Sequence, residues 1–192
     1  MKSLAELASH IAEDFRANHS DLIAPGFHAV VTYRIGAWRL RQSRPLQLLM
    51  LPVYAVMYLW VRNIYGIELP AGAVVGRRFL VAHQSGIVIH PRAVIGDDCI
   101  IRQNVTIGAT GAGHWSDAPS IGNKVSVGAG ATIVGKIRIG DGVFIGPNAL
   151  VMTNVPAGSI VAAAPARIIT RPAGTEGLSR RPTVESMSSF SN

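Results

Sequence analysis

The stretch IHPRAVIGDDCIIRQNVTIG, residues 89–108, decides the fold. An aliphatic side chain recurs at every sixth position: Ile89, Ile95, Ile101 and Ile107. Working outward, the same beat runs back, after a two-residue slip, to Val81, Val75 and Leu69. Forward it resumes at Ile121 and continues through Val127, Ile133, Ile139, Ile145 and Val151. Four residues after many of these stands a second small or apolar side chain: Ala73, Ala93, Cys99, Val105, Val125, Ala131, Val143 and Ala149. A glycine often follows the aliphatic directly, as at Gly76, Gly96, Gly122 and Gly140.

A fixed period of six marks a parallel β-helix. Each hexad supplies one short strand and one corner, so three hexads close a coil of roughly 18 residues. The aliphatics point inward and stack on their equivalents one coil away, and stability accumulates along the stack. Between Ile107 and Ile121 the period is broken by eight residues beyond one hexad. The Gly-rich, polar segment TGAGHWSDAP must therefore leave the coil as a loop, and loops on rigid scaffolds commonly carry function.

Upstream, Leu4, Leu7, Ile11 and Phe15 have helical spacing, and Ser3 with Glu6 forms a capping-box signature. A second helix is expected from about Phe27 to Arg41, ended by Ser43-Arg44-Pro45. Residues 46–61, LQLLMLPVYAVMYLWV, are almost unbroken in their apolarity. The run is shorter than the ~20 residues of a bilayer span, and Pro52 interrupts it. A helix buried between subunits or against the coil base fits, and so does a peripheral membrane contact flanked by Arg41, Arg44 and Arg62. The domain organisation expected is a helical region 1–66, a coil 67–172 and a disordered, Ser- and Arg-rich tail 173–192.

The chain has 192 residues and a net charge of +7. That charge suits a basic soluble surface or an anionic partner such as a cofactor's phosphates. Dispersed Lys and Arg with few aromatics argue against nucleic acid. The lone Cys99 excludes an internal disulfide and occupies an inward position, which fits a reducing cytosol. No metal is expected, because there is no CxxC and the histidines are scattered. The N-terminus lacks signal-peptide architecture, since Lys2 is soon followed by Glu6, Glu13 and Asp14. A cytoplasmic protein is expected, one that reaches the inner face of the membrane if the apolar run attaches there.

Glu68 and His83 lie fifteen residues apart, a little under one coil, and are expected at one edge of the prism. A neutral imidazole oriented by a carboxylate is the usual form of a general base. Around them the chain resembles the serine acetyltransferase family of hexapeptide acyltransferases. The resemblance lies in GFHAVVTYRIGAW at 26–38, AHQSGIVIHPRAVIGDDCIIRQNVTIG at 82–108 and PARII at 165–169. It implies a left-handed parallel β-helix, mainly β, preceded by a short α-helical region. It also implies an acetyl-CoA-dependent O-acetyltransferase acting by direct transfer, with active sites between the subunits of a homotrimer.

Under that resemblance His83 matches the general base, and Glu68 stands where the family usually has its paired Asp. Gly108, Ala109, Gly128 and Ala129 match the segment along which the pantetheine arm of CoA lies, while Arg167 and Arg171 are candidates for its phosphates. Two departures concern the acceptor. The family has Asp immediately before the catalytic His, where this chain has Ala82, and Arg-His-Pro where it has Asp117-Ala118-Pro119. Asp117 in place of a cation would repel a substrate carboxylate.

The shortened N-terminal region and the Glu variant look more like the colanic acid type of acetyltransferase. The acceptor then expected is a sugar hydroxyl of an exopolysaccharide precursor, with Trp115 stacking on the ring and His114 beside it. The alternatives are a serine O-acetyltransferase of cysteine biosynthesis and a non-catalytic scaffold. His28 and His90 read as structural.

Overall fold

The structure is a computed structural model that describes residues 3–111 and 116–167. His114, Trp115, Arg171 and the tail 173–192 lie outside the described residues. Among the described residues, four helices precede fourteen short parallel strands.

The strands form the three faces of a left-handed parallel β-helix. Face A stacks β1 (Ile67–Glu68), β4 (Ile87–Ile89), β7 (Thr106–Gly108), β10 (Thr132–Val134) and β13 (Leu150–Val151). Face B stacks β2 (Val74–Val75), β5 (Val94–Ile95), β8 (Ser120–Ile121) and β11 (Arg138–Ile139). Face C stacks β3 (Leu80–Val81), β6 (Ile100–Ile101), β9 (Ser126–Val127), β12 (Phe144–Ile145) and β14 (Ile160–Val161). Every aliphatic of the six-residue beat is buried, from Leu69 to Val151, and so are the small partners four residues on, Cys99 among them. That interior is one continuous core.

Pairing registers measure each coil. Val88 pairs with Thr106 and Thr132 with Leu150, both eighteen residues on. Thr106 pairs with Thr132, so the coil holding the loop is eight residues longer. The first coil, from Ile67 to Ile87, takes twenty. Its two extra residues are the slip visible in the sequence, and they sit in the corner 82–86.

Helix α1 (Leu4–Ala17) opens with the expected capping box, the Glu6 amide donating to Ser3 Oγ at 3.1 Å and the Ser3 amide to Glu6 Oε2 at 3.3 Å. Helix α2 (Pro25–Arg39) begins two residues earlier than expected, with Pro25 in its first turn. A buried polar knot ties both to the coil. Arg34 Nε donates to Asp14 Oδ2 at 2.7 Å and its Nη1 to the Val75 carbonyl at 2.8 Å. Asp14 Oδ1 also accepts the Phe79 amide at 3.1 Å. At Gly26, helix and coil touch backbone to backbone. A Cβ there would collide with the Val81 carbonyl oxygen.

The apolar run forms two helices, α3 (Arg44–Leu49) and α4 (Leu51–Ile64), because Pro52 starts a new first turn. One side of α4 packs on α2 and β1. The other leaves Val56 69% and Trp60 57% exposed. Among the described residues no helix is long and apolar enough to cross a membrane.

Candidate active site

The expanded corner between faces C and A carries His83. Corner 82–86 is two residues longer than its counterpart 102–104 in the next coil, as the pairings Val81 with Ile101 and Val88 with Thr106 require. The surplus swings the chain outward, and His83 and Gln84 are exposed. Backbone bonds hold the far side of the corner: the Ser85 amide donates to the Tyr65 carbonyl at 2.9 Å and the Ile87 amide to that of Gly66 at 3.0 Å.

His83 faces a cavity of ≈ 570 Å³. One wall is the start of α2 and the segment before it: Asp21, Ala24, Pro25 and Gly26. The other is the coil, Val81 to Gln84 with Gln103. Gln103 lies one layer above His83, and the register Ile101 with Val127 puts Ala129 directly over Gln103. The Gly130 amide bonds the Gln103 carbonyl at 3.0 Å. His83, Gln103, Gly128 and Ala129 therefore climb one edge of the prism, about 5 Å per layer. The exposed Arg167 follows β14 above that edge.

Gly108 and Ala109 stand on the opposite edge of face A, where β7 runs into the loop. Asp117 lies at the loop's return on the same side, with Ser116 Oγ 3.4 Å from its Oδ1. Within one chain, the residues matched to pantetheine thus divide between two edges.

Glu68 sits on face A opposite Val88, five residues beyond His83. The fifteen-residue spacing falls further short of this twenty-residue coil than of an ordinary one. Glu68 does not line the His83 cavity, and its Oε2 is 3.9 Å from Arg62 Nε. Burial and then the Glu68 carboxylate push the Tyr58 phenol up to about 12. Among the described residues no hydrogen bond joins Glu68 to His83.

His28 bridges Leu22 and Tyr65. A carbonyl only accepts, so Nε2 donates to the Leu22 oxygen at 2.6 Å, and Nδ1 accepts from the Tyr65 hydroxyl at 3.1 Å. His90 is buried, and its Nδ1 accepts the Arg92 amide at 3.1 Å. Burial, with Arg92 nearby, lowers its pKa. Burial pushes the Cys99 thiol up to about 11, away from a nucleophile's range. Among the described residues no three His, Cys, Asp or Glu side chains gather as a metal site.

Sequence reading did not select Asp21 or Gln103. Gln103 was within reach, since three hexads and the two-residue slip place it twenty residues after His83, one coil up. Asp21 had no local signal, because the docking of α2 brings it there.

Residues 118–152 match the family model described as bacterial transferase hexapeptide (six repeats). A serine acetyltransferase of Helicobacter pylori is 39% identical over 150 residues, covering 78% of this chain and 84% of that protein. The chain belongs to the serine acetyltransferase family. The Synechococcus elongatus serine acetyltransferase is 37% identical over the same share of this chain, which spans 59% of that protein's length. Among solved structures, the Vibrio cholerae family member superposes with a TM-score of 0.72 at 32% identity, covering 88% of this chain and 67% of that one. The soybean apoenzyme gives 0.72 at 31% identity, covering 85% and 69%. The sugar acceptor expected from Ala82 and Asp117 finds no support among these relatives. Asp117, moreover, stands across face A from the His83 of its own chain, so its charge does not bear on that cavity within one chain.

Proposed function

We propose that the chain is an acetyl-CoA-dependent serine O-acetyltransferase, a step of cysteine biosynthesis. The observation that carries this reading is the 39% identity to the Helicobacter pylori serine acetyltransferase over 84% of that protein. The exposed imidazole on a cavity of ≈ 570 Å³ suits it.

In the proposed mechanism the His83 ring takes the proton of the serine hydroxyl as that oxygen attacks the thioester carbonyl of acetyl-CoA. Backbone amides beside Gly108 and Ala109 stabilise the oxyanion that develops. The tetrahedral intermediate collapses, the C–S bond breaks, and the imidazolium returns its proton to the departing CoA thiolate. Glu68 orients the ring. Its side chain is 43% exposed and its contact with Arg62 is long, so turning toward His83 costs little. Gly128, Ala129 and Arg167 serve the cofactor along the edge above His83.

The division of the candidate residues between two edges favours a homotrimer, in which the loop edge of one copy meets the His83 edge of the next. The small residues of both edges would then line one groove. The test is the release of CoA thiol from acetyl-CoA with L-serine, against the same assay with neutral sugars. Turnover with serine supports the reading, and turnover with sugars alone overturns it.

A further inference from the structure

Among the described residues, the cavity at His83 has one formally charged side chain in its lining apart from the imidazole, and that is Asp21. Three contacts fix the segment bearing it. Asp21 Oδ1 accepts the Ile23 amide at 2.9 Å, His28 donates to the Leu22 carbonyl at 2.6 Å, and Gly26 is pressed on Val81. Its Oδ2 takes no hydrogen bond among the described residues. Across the cavity Gln103 carries an amide oxygen that is buried with no partner among the described residues. Its burial closes that oxygen off from a ligand, so the acceptor open to the cavity is the Asp21 carboxylate, and the charge of the lining is negative. A neutral hydroxyl compound gains nothing from that charge, whereas an ammonium group gains a charge-assisted hydrogen bond.

We propose that Asp21 sets the charge class of the acceptor, its carboxylate binding the ammonium group of an amino-bearing hydroxyl compound held at His83. The assignment rests on the serine reading above and deepens it. Asp21 touches the substrate away from the reacting oxygen, so it governs affinity and selection, while proton transfer stays with His83. His28 is a positioning residue, keeping the Leu22 backbone, and so the neighbouring carboxylate, turned to the cavity.

The test compares full-length wild type with Asp21→Asn and Asp21→Glu in steady-state turnover of L-serine and of 3-hydroxypropionate, which is serine without its ammonium group. Asn is expected to raise KM for serine roughly 10- to 100-fold, the range of one charge-assisted hydrogen bond. It should change kcat far less and leave KM for acetyl-CoA alone, and the preference for serine over 3-hydroxypropionate should shrink by a similar factor. Glu should restore part of the loss. An unchanged KM for serine in Asp21→Asn, or equal losses on both acceptors, overturns the assignment.

A binding measurement separates this inference from the function it rests on. Ethanolamine should shift the His83 ring resonances of the wild type where ethylene glycol does not, and Asp21→Asn should abolish that difference. If serine is not turned over but this amine selectivity holds, the function reading falls and the Asp21 site stands. Serine turnover without any amine selectivity gives the reverse.

Discussion

The two edges of face A are built from similar small residues, yet for different reasons. On the His83 edge, Gly128 is required by the coil itself: a Cβ there would stand 2.6 Å from the Pro147 nitrogen of the next layer. On the loop edge, a Cβ at Gly108 would meet, among the described residues, only Thr106 Cγ2, at 3.8 Å. Nothing in the packing of the described residues asks for glycine at Gly108. Small side chains that stacking demands say little about ligands; one that stacking does not demand is the better marker of a cofactor path. Of the four residues matched to pantetheine, Gly108 is therefore a better candidate for the cofactor path than Gly128.

The largest effect should come from His83, which is exposed and bears no structural load. His83→Ala is expected to lower kcat by roughly 10²- to 10⁴-fold, the range of a lost general base. Its thermal unfolding midpoint should stay at the wild-type value. Activity that survives the change would remove the His83 edge from the chemistry and leave the loop edge as the only functional one.

Next come the two glycines, in opposite directions. Gly128→Val forces a side chain into the adjacent layer and should cost about 1–3 kcal/mol of stability, read by denaturant unfolding. Gly108→Val should leave stability within about 0.5 kcal/mol. It should instead raise KM for acetyl-CoA roughly tenfold, equivalent to ~1.4 kcal/mol. If the two variants traded places, with Gly108→Val unfolding and Gly128→Val only binding less tightly, the contrast between the edges would be wrong.

The same contrast explains what was legible in the sequence. The inward ladder from Leu69 to Val151 reads directly, because stacking imposes one residue type at one period. The slip between Val81 and Ile89 already marked the corner that displays His83, although its consequence shows only in the register. The fifteen-residue spacing from Glu68 to His83 is visible in the sequence, whereas the register that sets Glu68 opposite Val88, in a coil of twenty residues, shows only in the pairing. Helix α1 announced itself through Ser3 and Glu6. The break between α3 and α4 at Pro52 was signalled, but a single helix was the simpler reading of so apolar a run. The cavity wall at Asp21 was out of reach. It depends on how α2 docks, which the buried Asp14–Arg34 pair and the contact of Gly26 with Val81 decide over long sequence separations.

The third edge, between faces B and C, offers the smallest effect and a control for the other two. Stacked glycines, Gly76, Gly96, Gly122 and Gly140, turn this corner layer upon layer, and surface charge lies beside them. Arg78 Nε donates to Asp98 Oδ1 at 2.5 Å, and Arg77 pairs with Glu13 of α1. The Arg78 guanidinium holds the Asp98 carboxyl below its ordinary value, and Arg77 does the same for Glu13. A depressed folded-state value means that the unfolded chain takes up protons first. The stabilisation is therefore complete above the unfolded value, near 4, and is lost as pH falls through the folded one. Arg78→Ala should lower the unfolding midpoint slightly at pH 7, less so at high salt because the pair is partly exposed. The gap between variant and wild type should close as the solution is taken from pH 5 toward pH 2. Serine turnover at pH 7 should be unaffected, since neither Arg78 nor Asp98 lines the His83 cavity. A loss of turnover in Arg78→Ala with the fold intact would make the third edge functional too, and the division of labour among the edges would have to be redrawn.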